Sequence, residues 1–184
     1  MGAVNVIEYI TIANTGNVTD FGDLSAIAQF NSGLSSPTRG IFTIATSAVN
    51  TIEYITIAST GNSTDFGDLS VARLRTGSCS SNTRGVFGGG NSGSSRLDVI
   101  DYITISSAGN ATDFGNLTAV REDTAGISSP TRGVFGGGLN PDGNEVNIIE
   151  YITIASTGNA TDFGDLSASK AFGGSSSNGH GGIA

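Results

Sequence analysis

The sequence predicts an all-β protein built from many short strands. It contains 28 glycines and no tryptophan, and only 13% of its residues are charged. No segment places apolar residues at the three- and four-residue spacing of an amphipathic helix over three turns. A composition rich in glycine and small polar residues is typical of short strands joined by turns, so we expect almost no helix.

The four tyrosines reveal an internal repeat. Each lies in an Ile-Glu/Asp-Tyr-Ile-Thr-Ile context, and the separations between Tyr9, Tyr54, Tyr102 and Tyr151 are 45, 48 and 49 residues. A Thr-Asp-Phe-Gly motif recurs in the same phase at Asp20, Asp65, Asp113 and Asp162, and a Thr-Arg-Gly motif recurs at Arg39, Arg84 and Arg132. Repeats of about 47 residues indicate a solenoid or a propeller.

Four strands are predicted in each unit. In the second unit, residues 52–58 alternate two faces that are both largely apolar or small, which suits a sheet covered on both sides. Gly61 and Asn62 predict a tight hairpin before the next strand. The four predicted strands are 52–58, 63–66, 70–73 and 84–87, with Ser78–Ser81 as a crossing segment. We therefore predict one domain, residues 1–184, folded as a β-propeller with four blades of about 47 residues.

The two ends of the chain carry parts of one blade. The chain starts just before a tyrosine strand and stops within a strand of the Arg84 type. We expect Ile183–Ala184 to pair beside Val4–Ile12, because such pairing of the N- and C-terminal strands closes the ring and removes exposed edges. Two alternatives stay open, namely several chains that share a larger ring and an open solenoid.

Four features recur in a fixed order along the chain. They are an apolar strand ending in a glycine pair, a tyrosine strand, an aromatic residue and an arginine, found at Val86–Gly89, Tyr102, Phe114 and Arg121. This order of motifs resembles kelch repeats. The tryptophan of that family is replaced by Phe21, Phe66, Phe114 and Phe163. The near-identical units are also similar to repetitive kelch-like proteins of marine bacteriophages, described as tail-fibre or hypothetical proteins. This resemblance implies a propeller and favours a virion or extracellular location.

Charge and composition argue against several classes of partner. Sixteen acidic and eight basic residues give a net charge of −8 with no basic run, which disfavours nucleic acid and anionic membranes. No apolar stretch reaches the roughly 20 residues of a membrane span, and the N-terminus lacks the plan of a signal peptide. Cys79 and His180 form no zinc set, so we expect no cofactor and interpret Cys79 as a small buried filler.

The repeated polar residues have structural and functional interpretations. The aspartates of the Thr-Asp-Phe-Gly motif, Asp20, Asp65, Asp113 and Asp162, could hold calcium, but a role in repeated turns is favoured. The repeated arginines could bind a carboxylate or a sugar, but a clamp between neighbouring units is favoured. No nucleophile and base are recognisable, so we expect no enzymatic activity.

The loops that differ between units are the candidate ligand site, because function on repeat scaffolds concentrates in variable loops. Residues 91–96 and 139–145 follow equivalent strands and should project from the same end. The candidate ligand-binding residues are Arg96, Asp142, Asn144 and Glu145. We expect a monomeric or homo-oligomeric binding or structural module that contacts a glycan or protein partner. A metal-dependent lectin or enzyme, and a scaffold fragment of a multi-chain ring, are the alternatives.

Overall fold

The computed structural model describes residues 4–175, which form fourteen β-strands. No helix occurs in this range, so the all-β prediction is confirmed. All named strand pairs are antiparallel, and they make three sheets of four strands and one of two. Residues 4–175 also contain no helix that could cross a membrane.

The sheets follow one another along the chain. Sheet 1 contains β1 (Val4–Tyr9) and β2 (Thr19–Ala28). Sheet 2 contains β3 (Gly33–Ser35), β4 (Arg39–Thr43), β5 (Val49–Thr56) and β6 (Thr64–Arg73). Sheet 3 contains β7 (Gly77–Ser80), β8 (Arg84–Gly88), β9 (Val99–Thr104) and β10 (Thr112–Asn116). Sheet 4 contains β11 (Ala125–Ser128), β12 (Arg132–Gly136), β13 (Val146–Thr153) and β14 (Thr161–Lys170). Strands that are consecutive in a sheet are hydrogen-bonded neighbours.

The predicted strand boundaries within the unit are partly wrong. Residues 64–66 of one predicted strand and 70–73 of the next belong to a single strand, β6, because Gly67 lies at a β-bulge and not in a turn. The register passes from Glu53 opposite Asp65 to Ile52 opposite Gly67, which leaves Phe66 as the extra residue. The remaining strand of the unit is β7, which lies in the segment that we predicted to be a crossing between strands.

The loop between the third and fourth strands of sheet 2 is longer than the predicted tight hairpin. Between β5 and β6 it comprises residues 57–63. Its backbone bonds to the preceding sheet, since Gly61 N–H donates to Phe21 O at 2.7 Å and Ser63 N–H donates to Asp23 O at 2.9 Å. The equivalent bonds join Gly109 to Phe66 and Gly158 to Phe114. Each hairpin therefore docks its backbone onto the sheet before it.

The Thr-Asp-Phe-Gly motif supplies the other half of this contact, which we call a junction. A Cβ built on Gly67 would lie 2.5 Å from the carbonyl oxygen of Gly109, so only glycine fits there. Gly67 also has a φ of 139°, which residues with a side chain rarely adopt. The same contact joins Gly22 to Gly61 and Gly115 to Gly158. Three junctions, one between each successive pair of sheets, are thus built alike.

The hydrophobic core lies between the sheets. One cluster of buried residues joins sheets 2 and 3, with Phe87 of β8 fully buried. A second joins sheets 3 and 4, with Phe135 of β12 fully buried. Full burial of an aromatic side chain contributes about 1.5–3 kcal/mol, so the junctions hold much of the stabilising apolar contact.

A buried acid completes each junction. The side chain of Glu53 in β5 accepts bonds from the backbone and hydroxyl of Ser25 in sheet 1 and from Ser63 in its own sheet. Asp101 in β9 accepts from Ser70 and forms an ion pair with Arg73 at 3.0 Å. Glu150 in β13 accepts from Thr118 N–H and pairs with Arg121. All three carboxylates are almost fully buried and have polar partners.

The sheets do not close into a ring within residues 4–175. A Cβ on Gly126 of β11 would overlap the carbonyl oxygen of Ser78 in β7, the first strand of the preceding sheet. At the equivalent Gly33 of β3, the three nearest atoms belong to Ile41 and Phe42 of its own sheet. The predicted pairing of Ile183–Ala184 with the first strand lies outside the described residues.

Candidate functional site

A cavity of about 430 Å³, which we call the central cavity, is lined by four segments of the chain. They are β3, β7, β11 and residues 173–175, which follow β14, and we call them the inner segments. Ser78 Oγ donates to Gly33 O at 2.7 Å, and the equivalent Ser175 Oγ donates to Gly126 O at 2.8 Å. The wall consists largely of serine, threonine and glycine because small side chains let the inner backbones approach one another.

At one end the central cavity adjoins a second one of about 290 Å³, which we call the mouth. The mouth is lined by residues at which each sheet passes to the next, among them Phe30, Arg75, Asp123 and Phe172. Their separations, 45, 48 and 49 residues, are those of the repeat. The four repeats therefore place two aromatic rings, one cation and one anion at equivalent positions around one opening.

The backbone at the mouth is strained. Arg75, Asp123 and Phe172 have φ values of 60°, 55° and 56°, and they are the three residues other than glycine with positive φ in the described part of the chain. The left-handed conformation costs a residue with a side chain about 1–2 kcal/mol. Strain of this kind clusters at functional sites, and here it occurs where residues in register differ in chemistry.

Arg75 connects three parts of the mouth. Its guanidinium lies over the ring of Phe30, 4.5 Å from the centroid, and its Nη1 is 3.2 Å from Asp123 Oδ2. Burial raises the pKa of the Asp123 carboxyl; the charge of Arg75 opposes that rise and the charge of Glu122 adds to it. The mouth therefore offers a planar donor group, a partly desolvated carboxylate and aromatic faces within one opening.

The predicted loop residue Arg96 reaches this cluster. Its Nη2 is 2.7 Å from Glu122 Oε1, and its Nη1 donates to Pro141 O at 2.9 Å. Glu122 is only 3% exposed and also accepts from Asn91 Nδ2 at 2.8 Å. Arg96 thus ties the 91–96 loop to the 139–145 loop beside the mouth.

The other predicted loop residues lie on the surface of the second loop. Asp142, Asn144 and Glu145 are exposed, and the first two donate their backbone N–H groups to Asn140 Oδ1. Isolated bridges pair Glu122 with Leu139 and Leu139 with Glu145, so this loop starts beside the mouth. The loop brings its acidic groups to the same end of the molecule as Arg75 and Asp123.

The repeated aspartates are dispersed. Asp20, Asp65, Asp113 and Asp162 are exposed in the first residues of four different strands, not in turns. Within residues 4–175, no group of three or more His, Cys, Asp or Glu side chains is arranged to hold a metal ion. The geometry of these four residues gives no specific support to the calcium alternative.

Two of the three repeated arginines form the predicted clamp. Arg39 Nη1 donates to Ile105 O and Arg84 Nη1 donates to Ile154 O, each at 2.8 Å and each to the following sheet. Each guanidinium also lies over the tyrosine of its own sheet. Arg132 lies over Tyr151 in the same way, 4.5 Å from the ring centroid.

Cys79 is a buried filler, as predicted. It is 4% exposed in the core between sheets 3 and 4, and burial raises the pKa of its thiol to about 12. We expect no reaction with a thiol-directed reagent at pH 8 in the folded protein, and full reaction after unfolding in denaturant, because the thiolate is the reactive form. Rapid labelling of the folded protein, followed by absorbance, would contradict this burial.

The repeat signal that locates the mouth is easily overlooked. Phe30, Arg75, Asp123 and Phe172 keep the repeat spacing, but no residue type is common to all four, so a search for identical motifs passes over them. Asking which positions in register differ in chemistry would have found them. Arg96, in contrast, was predicted from the variability of its loop.

No protein-family model matches the chain, and no curated protein sequence matches it.

Proposed function

We propose that this protein is a non-enzymatic binding module in which the four sheets act as blades of a β-propeller and the mouth holds the ligand. The order of the sheets supports this architecture, since each four-stranded sheet starts with an inner strand and docks onto the sheet before it. The four inner segments around one cavity support a common axis. The resemblance to repeat proteins of marine phages makes a virion or extracellular location part of the proposal.

One observation carries the proposal: the framework repeats while the mouth does not. Glycine at positions 75, 123 and 172 would relieve the backbone strain, yet the chain has arginine, aspartate and phenylalanine there. A purely structural role at a pseudo-symmetric position would favour the same residue in each repeat. Different side chains held at a cost in free energy favour a binding role.

A glycan is the ligand class that fits this chemistry best. Aromatic faces such as Phe30 and Phe172 can cover the apolar faces of sugar rings, and Phe172 is 66% exposed. The guanidinium of Arg75 and the carboxylate of Asp123 can exchange hydrogen bonds with hydroxyl groups. A protein partner that inserts a polar loop is the second ligand class within this proposal.

Binding to immobilised neutral and acidic oligosaccharides tests the proposal. We expect the natural protein to bind at least one oligosaccharide class, and Arg75→Gly to weaken binding by about 10- to 100-fold, the equivalent of one charge-assisted hydrogen bond. Arg75→Gly removes the backbone strain and also the contacts of Arg75 with Phe30 and Asp123, and these two effects oppose each other, so we expect its Tm to stay close to that of the natural protein. Loss of binding without loss of stability would separate a ligand role from a folding role.

A charge-matched pair of variants provides the control. Asp123→Asn removes the carboxylate in the mouth but keeps a residue that tolerates positive φ, while Asp65→Asn removes an exposed carboxylate from a strand outside the mouth. We expect Asp123→Asn to weaken glycan binding and Asp65→Asn to leave it unchanged. Absence of binding to every oligosaccharide class, or equal binding by all variants, would contradict a glycan site at the mouth.

A further inference from the structure

The outer face of sheet 4 lacks the cover that the equivalent faces have. Phe163 is 56% exposed, whereas the equivalent Phe66 and Phe114 are 2% exposed under the hairpins of the following sheets. A Cβ built on Gly164 would meet nothing within 4 Å, whereas the equivalent Gly67 faces a backbone carbonyl. Beside it lies an apolar hollow of about 240 Å³, lined in part by Leu166. Sheet 4 therefore presents one uncovered half of a junction.

The hairpin of sheet 1, residues 10–18, presents the opposite half. Ile12 is 93% exposed, whereas the equivalent Ile105 and Ile154 are 1% exposed and accept the arginine clamp of the preceding sheet. The other equivalent, Ile57, follows sheet 1, which has no arginine strand in residues 4–175, and it is 45% exposed. Arg132 of sheet 4 is exposed and has no such carbonyl among the described residues, although it keeps its contact with Tyr151. The unused donor on sheet 4 thus matches an unused acceptor on sheet 1.

The charges of the two open faces also match. Position 170 is equivalent to Arg73 and Arg121, and it carries the exposed Lys170; the acid equivalent to Asp101 and Glu150 is the exposed Glu8. A Lys170–Glu8 pair would thus reproduce the ion pair that the second and third junctions contain.

The hairpin sequence follows the same pattern. Where the junction acid pairs with arginine, the following hairpin carries Ala111 or Ala160; where it lacks arginine, the hairpin carries Ser63. Sheet 1 has the apolar Val18 at this position, as expected if its acid, Glu8, pairs with a cation.

The three formed junctions keep these two faces apart within one chain. Each junction is fixed by backbone hydrogen bonds and by glycine contacts that leave no room for adjustment. The last inner segment contacts β11 through Ser175, whereas no hydrogen bond joins that segment to β3 within residues 4–175. The chain forms its three junctions while Phe163 and Ile12 stay exposed, so docking of a second chain requires no change in any of them.

We propose that the outer face of sheet 4 binds the N-terminal hairpin of a second copy of this chain, head to tail. In this fourth junction Gly16 N–H donates to Phe163 O, Asp165 N–H donates to Asn17 Oδ1, and Lys170 pairs with Glu8. Each of these contacts copies one that the chain makes three times, or twice for the ion pair. The contact is heterologous, so the copies close into a ring when the rotation allows it. The inference is independent of the ligand at the mouth.

The mass in solution, measured by sedimentation velocity over a range of concentrations, tests the docking. We expect a multiple of 18.5 kDa for the natural chain. Ile12→Asp changes a side chain that is exposed in the protomer, so it should leave the fold intact and reduce the mass to 18.5 kDa. The matched control is Val71→Asp, since Val71 and its equivalents Ala26 and Ala119 stay exposed in formed junctions. This control should keep the mass of the natural assembly.

Charge reversal distinguishes docking of a second copy from closure within one chain. We expect Lys170→Glu and Glu8→Lys each to raise the dissociation constant of the assembly at least 10-fold, because like charges meet at the junction. An equimolar mixture of the two variants should reassemble, since every contact between unlike copies then joins opposite charges. A monomeric natural chain, or variants that stay monomeric after mixing, would overturn the proposal.

Discussion

Replacing Gly67 by alanine is expected to destabilise the protein by about 3–5 kcal/mol, one of the two largest effects that we predict. Two costs add at this position. A φ of 139° costs a residue with a side chain about 1–3 kcal/mol. The new Cβ would also lie 2.5 Å from the Gly109 carbonyl, and neither backbone can move without opening the junction between sheets 2 and 3. Chemical denaturation, monitored by tyrosine fluorescence or circular dichroism, measures the loss.

The chain contains a matched control for this substitution. Gly164 has nearly the same backbone conformation, with a φ of 137°, but a Cβ added there would have no atom within 4 Å. In the Ile12→Asp background, in which docking of a second copy is blocked, Gly164→Ala should cost only the conformational term of about 1–3 kcal/mol. The difference between the two substitutions then gives the free energy of the close contact. Equal losses would mean that the contact does not determine the choice of glycine.

The periodic features of the fold could be predicted from the sequence. The alternation in residues 52–58 and the recurrence of the tyrosine motif correctly indicated an all-β repeat protein, because pleat and repeat period are both recorded in residue order. The clamp formed by Arg39 and Arg84 was also predictable, since an exposed structural role would not require the same arginine in successive repeats.

Features that depend on contacts between repeats were harder to predict. The Thr-Asp-Phe-Gly motif suggested a turn, because glycine after a polar pair is common in turns. Its actual role, a bulge that admits the next hairpin, depends on a partner 42 residues away for Gly67 and Gly109. The inner strand β7 was overlooked because Gly-Ser-Cys-Ser has little intrinsic preference for strands and is held by its neighbours. The four mouth residues keep the repeat spacing, but no residue type is common to all of them.

The buried ion pair at the third junction is expected to give the other large effect. Arg121 is 1% exposed, pairs with the fully buried Glu150 and donates from Nη1 to Gly137 O at 3.0 Å. Burial lowers the pKa of its guanidinium to about 10, which still leaves it charged at neutral pH. After Arg121→Ala, the backbone N–H of Thr118 would be the remaining partner of the Glu150 carboxylate among residues 4–175. Removing one member of a buried ion pair costs about 3–5 kcal/mol.

The first junction shows how the lost arginine can be replaced. There the position equivalent to Arg121 is Ala28, and the buried carboxylate of Glu53 accepts hydrogen bonds from the hydroxyls of Ser25 and Ser63 instead. Ala160 occupies the position equivalent to Ser63 in the third junction. We therefore expect Ala160→Ser to restore about 1.5–3 kcal/mol in the Arg121→Ala background, the usual contribution of a hydrogen bond to a charged group.

The single Ala160→Ser substitution serves as the control for this rescue. With Arg121 present, Glu150 already has a charged partner, so the added hydroxyl should change the free energy of unfolding by no more than about 0.5 kcal/mol. A double-mutant cycle of the two substitutions measures the coupling directly. A coupling near zero would show that hydroxyl and guanidinium are not interchangeable partners. A positive coupling would show that the buried acid of each junction is stabilised either by a serine hydroxyl or by an arginine. This would explain why Ser63 and the arginines do not occur at the same junction.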